Sequence, residues 1–102
     1  MGTYLFDQYT SLHFAVGIVA YFWNMSIQLW IIIHTLFEIF ENTETGMYII
    51  NNYIPLWPGG KPKRDTYINI FGDTLGAIFG WIFVYILDKK GTENNWYNPH
   101  IK

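Results

Sequence analysis

Thirty consecutive residues, Gln8 to Phe37, contain no Lys, Arg, Asp or Glu, and the 22 from Thr66 to Leu87 carry a single charge, Asp73. Runs this long and this apolar predict helices that lie in a bilayer, whose hydrocarbon core takes about 20 helical residues to cross. One helix over the whole first run would be about 45 Å long, against a core of about 30 Å. Asn24-Met25-Ser26 offers a break, with Ser26 able to cap a new helix. The pattern therefore predicts helix 1 at about 4–23, helix 2 at about 27–43 and helix 3 at about 65–87; a single unbroken first helix is the two-span alternative. Between them, residues 44–64 hold Gly46, Pro55, Pro58, Gly59, Gly60 and Pro62, and read as an irregular loop along the membrane surface. Asp88-Lys89-Lys90-Gly91 reads as a helix stop, opening a polar tail over 88–102. The expected fold is all-α: one small polytopic membrane domain.

Composition supports a lipid-facing exterior. Hydrophobic residues make up 51% and charged residues 14% of the chain, against about 25% charged in a soluble domain. Aromatics reach 21%, which suits belts of Trp and Tyr at the two membrane–water interfaces. A net charge of −2 excludes an electrostatic case for nucleic acid. Without cysteine there is no disulfide, thiol nucleophile or Cys-ligated metal. The first residues lack the basic start of a signal peptide, and Phe6 stands where a myristoylation signal takes Ser or Thr. Lys61, Lys63 and Arg64 in the loop balance Lys89, Lys90 and Lys102 in the tail, so the charge rule leaves orientation open.

The polar residues inside these runs carry the functional signal. A carboxylate in hydrocarbon costs about 2.5–3.5 kcal/mol or more unless it finds a partner. On helix 2, His34, Glu38, Glu41 and Asn42 share one face; on helix 3, Asp65, Asn69, Gly72, Asp73, Gly76 and Gly80 do the same. His13, Gly17, Ala20 and Asn24 make a weaker stripe on helix 1. The glycine spacing Gly72-x-x-x-Gly76-x-x-x-Gly80 lets another helix backbone approach closely. Three helices with small, polar faces should pack those faces inward, so that the acids meet inside the bundle.

Glu38-Ile39-Phe40-Glu41-Asn42-Thr43, followed by Asp65-Thr66-x-x-Asn69-x-x-x-Asp73 and Gly80, resembles a family of small, uncharacterised bacterial inner-membrane proteins with a WE-x-x-EN helix end and a GDS-x-x-N-x-x-x-D segment. Ser11-Leu12-His13-Phe14 is similar to the start of that family's first helix, and the layout of Arg64-Asp65, Asn69, Gly72 and Gly76 more remotely resembles VanZ-like membrane proteins. The likeness covers about residues 9–87, with Phe37 in place of the family's Trp and Arg64-Asp65-Thr66 in place of Gly-Asp-Ser. It implies a multi-span fold with an internal polar cluster and supplies no reaction.

Two function classes follow. In the first, the chain is a structural or scaffolding subunit of a larger membrane assembly, contacting the bilayer and other subunits through its aromatic exterior and its 91–102 tail. Its richness in Asn, Ile, Tyr and Lys points to an AT-rich genome, which fits a minor component of a large DNA virus particle with an internal membrane, or an organelle complex. In the second, Glu38, Glu41, Asp65 and Asp73, with His13 or His34, form an intramembrane site for a metal ion or a proton, acting on lipid-linked substrates. No nucleophile–base set and no cofactor motif is present in the sequence.

Overall fold

The computed structural model describes residues 2–98 and 100. Four helices form, with no strand among the described residues: α1 Thr10–Phe22, α2 Ile27–Glu41, α3 Glu44–Tyr53 and α4 Tyr67–Glu93. The break between the first two falls where the sequence places it. Asn24 takes a left-handed φ of 63°, and the Ser26 hydroxyl accepts the Leu29 amide at 3.1 Å to start α2.

Among the described residues, α4 alone is long and apolar enough to cross a membrane, with a mean hydropathy of 1.8 over its best window. The 13 residues of α1 and 15 of α2 reach only about 20 and 22 Å, short of a hydrocarbon core of about 30 Å. Three full spans are therefore not what the helices provide.

Three boundaries differ from expectation, each for a local reason. Residues 4–9 are not helical, because their polar groups are engaged elsewhere. Asn69 Nδ2 donates to the Tyr4 carbonyl, the Thr66 hydroxyl to that of Thr3 and the Thr66 amide to that of Gly2. The Asp7 carboxylate meanwhile accepts the amide of Tyr9, an Asx-type turn that precedes α1. The expected loop over 44–64 begins with the ten-residue helix α3, capped by Thr43, whose hydroxyl accepts the Gly46 amide. Its prolines start only at Pro55, so the window 44–53 is free to coil and stops just before that proline. Finally, α4 starts behind Thr66, whose hydroxyl accepts the Asn69 amide, and runs past Leu87 to Glu93. It ends in a Schellman turn at left-handed Asn95 (φ 59°), with the Trp96 amide bonded to the Gly91 carbonyl. Gly91 is there for room: it lies under the Tyr97 ring.

Packing centres on α4. The N-terminal segment and α1 run parallel to it, from Leu5 against Gly72 through Thr10 at Gly76 and Phe14 at Gly80 to Tyr21 at Asp88. At Gly72 and Gly80 a Cβ would overlap the carbonyl oxygens of Leu5 and Phe14, and at Gly17 that of Ala77. Glycine is what lets these backbones touch. Helix α2 runs antiparallel, from Trp30, whose indole donates to the Ala77 carbonyl at 3.0 Å, down to Asn42 beside Asp65.

The distribution of burial is inverted relative to a water-soluble domain. Among the described residues, six hydrophobic ones are buried (Ala20, Tyr21, Trp30, Ile50, Ala77, Val84) against seven polar or charged ones: His34, Glu38, Glu41, Lys61, Asn69, Asp73 and Asp88. Large apolar side chains such as Ile32, Leu36, Ile39, Phe71, Phe79, Phe83 and Ile86 point outward.

Candidate functional site

The acids and histidines singled out in the sequence do meet. Glu38 is 2% exposed, Asp73 4% and Glu41 3%. The stripe of His34, Glu38 and Glu41 on α2 turns toward α1 and α4 because the opposite stripe, Ile32, Leu36 and Ile39, is the apolar one.

At the centre, His13 Nδ1 lies 2.9 Å from His34 Nε2. Glu38 Oε1 lies 3.5 Å from the first nitrogen and 3.4 Å from the second. The far nitrogen of His13, Nε2, is 3.2 Å from Asp73 Oδ2, and Asp73 Oδ1 accepts the Thr10 hydroxyl at 3.1 Å. Thr10 and His13 sit on adjacent turns of α1, so one helix face presents both to Asp73. The two imidazoles stand edge to face, their rings 5.1 Å apart, and Trp30 closes over His34 with ring centroids at 5.4 Å.

A second group lies beside the first. Glu41 and Asp65 bring carboxylate oxygens within 4.8 Å of Glu38 and of one another. Lys61 answers part of this charge: it is buried, and its ammonium is 2.7 Å from Asp65 Oδ2. Its place is fixed by Asn51, whose side-chain amide takes the Lys61 amide and donates to the Lys61 carbonyl, each at 2.7 Å. Asn42 ties the same end together, accepting the Asp65 amide and donating to the Glu38 carbonyl.

Not every expected partner joins the centre. Asn69 turns away from Glu38 and binds the Tyr4 carbonyl and Asp7 Oδ2. Asp73 stands behind His13 and apart from the Glu38–Glu41–Asp65 group, so the four carboxyls expected as one ligand set divide in two. Asp7, Thr10, Trp30 and Lys61 escaped the sequence reading. Lys61 enters the sequence analysis only as one of the loop cations in the charge balance, whereas its i,i+4 spacing to Asp65 corresponds to a buried ion pair.

Charge and proton bookkeeping define what the cluster can do. With Asp73 Oδ1 accepting from Thr10, the other Asp73 oxygen needs a donor, so His13 carries its proton on Nε2. In a neutral ring its Nδ1 is then a lone pair aimed at His34 and Glu38. Both Glu38 oxygens and His34 Nδ1 are buried without a hydrogen-bond partner. For the Glu38 carboxylate this is costly unless a cation sits against it, whereas His34 Nδ1, on the side of the ring away from Glu38, is left without a partner of its own. A groove of about 570 Å³ reaches this point, lined by Leu12, Val16, Ile33, Phe37, His13 and His34 among others.

No family model, curated protein or solved structure matches this chain. The resemblance to the bacterial inner-membrane and VanZ-like families rests on the motif residues alone.

Proposed function

We propose that this chain is a small integral membrane protein whose buried histidine–carboxylate cluster is a working cation site. The observation that carries the reading is Glu38: a fully buried carboxyl beside those of Glu41 and Asp65 and two imidazoles, to which no N–H or hydroxyl group donates. A cluster evolved only to lock helices together would close its hydrogen bonds, as Asn42, Asn51 and Asn69 do elsewhere in the chain. The inverted burial supports the bilayer as surroundings, with α1 and α2 packed against α4 inside it. The groove, apolar along its walls and polar at its floor, suits a lipid-linked substrate of the kind the VanZ-like resemblance implies.

A second reading, a structural subunit of a membrane assembly in a virus particle or an organelle, draws on the aromatic exterior. Trp23, Tyr53, Tyr67 and Trp96 are all exposed and would serve partner subunits or headgroups equally well. The tail gives it less support than expected, because the Tyr97 hydroxyl donates to the Leu87 carbonyl and His100 Nε2 meets the Phe22 carbonyl within the same chain.

Melting temperatures of the detergent-solubilised protein across a panel of divalent cations and across pH separate the two. The site reading expects at least one cation to raise the melting temperature of the native chain. It also expects Glu38→Gln to abolish that response without loss of basal stability. A native chain indifferent to every cation and to pH, with Glu38→Gln less stable, would return the cluster to a structural role.

A further inference from the structure

We propose that His13 Nδ1, His34 Nε2 and Glu38 Oε1 are three ligands of one tetrahedral first-row divalent metal ion, best matched by Zn²⁺, with its fourth position open to the groove between α1 and α2. The inference rests on the cation-site reading and makes it specific.

The geometry argues for an ion over a proton. The three atoms form a triangle with edges of 2.9, 3.4 and 3.5 Å. Ligands at about 2.0–2.1 Å on a tetrahedral ion stand about 3.3–3.4 Å apart. Two of these edges exceed the range of about 2.7–3.2 Å in which an N–H···O hydrogen bond operates. The third edge, His13 Nδ1 to His34 Nε2 at 2.9 Å, is itself within hydrogen-bond reach; the two edges to Glu38 are the ones that match ligands sharing an ion.

The surroundings are those of a metal site. A metal-ligating histidine usually donates its other ring nitrogen to a carboxylate, which fixes the tautomer and raises ligand basicity. Asp73 accepts in this way from His13 at 3.2 Å and is itself held by Thr10, whereas the other ring nitrogen of His34 has no such partner. His34 and Glu38 come from one face of α2, one turn apart, and His13 from a different helix, so the site also clamps two helices. Two imidazoles and one carboxylate select an intermediate ion such as Zn²⁺ over Mg²⁺ or Ca²⁺, which take six or more oxygens. The neighbouring Glu41 and Asp65 lie outside the ligand set, with the Lys61 ammonium already at Asp65. Both histidines line the groove, so the remaining position can take water or the oxygen of an apolar substrate, as open zinc sites do.

Cobalt is the probe. Co²⁺ titrated into the metal-stripped full chain in detergent should bind with one-to-one stoichiometry, give the intense visible bands of a tetrahedral ion, and be displaced by Zn²⁺. His13→Ala and His34→Ala should each abolish those bands and Glu41→Gln should preserve them. Asp73→Asn should keep the spectrum while lowering affinity by about 10–100-fold. Weak octahedral bands, or a tetrahedral spectrum that survives loss of either histidine, would overturn the assignment. The native spectrum decides the matter even if a variant fails to fold. A chain that responds to Mg²⁺ or pH through Glu38 but never binds tetrahedral Co²⁺ keeps the broader cation reading and loses this one; a chain that responds to nothing loses both.

Discussion

Lys61 shows how a single buried charge depends on its partner. Its ammonium and the Asp65 carboxylate are almost wholly shielded, at 4% and 7% side-chain exposure. Removing one member of such a pair leaves the other charge without compensation, at a cost of about 3–5 kcal/mol. Lys61→Met should therefore destabilise the protein by that order in a thermal or SDS unfolding titration, and the double variant with Asp65→Asn by clearly less than the single one. At the far end of α1, the Tyr21 hydroxyl donates to the buried Asp88, so Tyr21→Phe should cost about 1–3 kcal/mol in the same assay, the penalty of an orphaned carboxylate. Glu38, Glu41 and Asp73 were legible in the sequence because an acid within or at the end of an apolar run demands an explanation. Lys61 and Asp7 were not, since a charge in a segment that looks like loop or terminus raises no question until the fold buries it.

Helices were legible where their signals were local. Ser26 behind Asn24 marks a start after a turn, and the glycine spacing on α4 announces a contact face. Where tertiary bonds decide, the sequence misleads: the first residues give their carbonyls to Thr66 and Asn69, so an apolar stretch stays non-helical beside α4. The α3 helix was hidden by averaging. Six Gly and Pro residues spread over 44–64 seemed to forbid it, yet five of them lie after Ile54. The contact face makes the sharpest prediction at this scale. Gly80→Leu would drive a side chain into the Phe14 backbone, and overpacking of this kind costs about 1–3 kcal/mol or more. It should lower the melting temperature strongly, while Phe79→Ala, one residue away and facing outward, should shift stability by under about 0.5 kcal/mol, as outward substitutions usually do.

The whole molecule is a rod, 47 × 26 × 22 Å, close in length to a bilayer with its headgroups, about 40–45 Å. Its ends are chemically distinct. One holds Gly2, Asn42, Lys61, Lys63, Arg64 and Asp65; the other holds the turn at Asn24, Lys89, Lys90 and the Schellman turn at Asn95. Lys102, the last member of the charge tie, lies outside the described residues. Because α1 runs parallel to α4, the Asn24 turn and the end of α4 lie at the same end of the rod, although 70 residues of chain (Asn24 to Asn94) separate them. A single spanning helix with a docked pair would put both on one side of the membrane. The chain has no cysteine of its own, so single cysteines report cleanly. Trp23→Cys and Trp96→Cys in sealed vesicles should react with an impermeant maleimide from one side, and Lys63→Cys from the other. With α4 across the bilayer, as proposed, Phe79→Cys should resist labelling until detergent is added, because its exposed side chain would then face acyl chains. Labelling of Trp23→Cys and Lys63→Cys from one face would mean that α4 lies along the membrane, and ready labelling of Phe79→Cys in intact vesicles would mean that it meets water. Either outcome would overturn the proposed bilayer setting of the buried cluster.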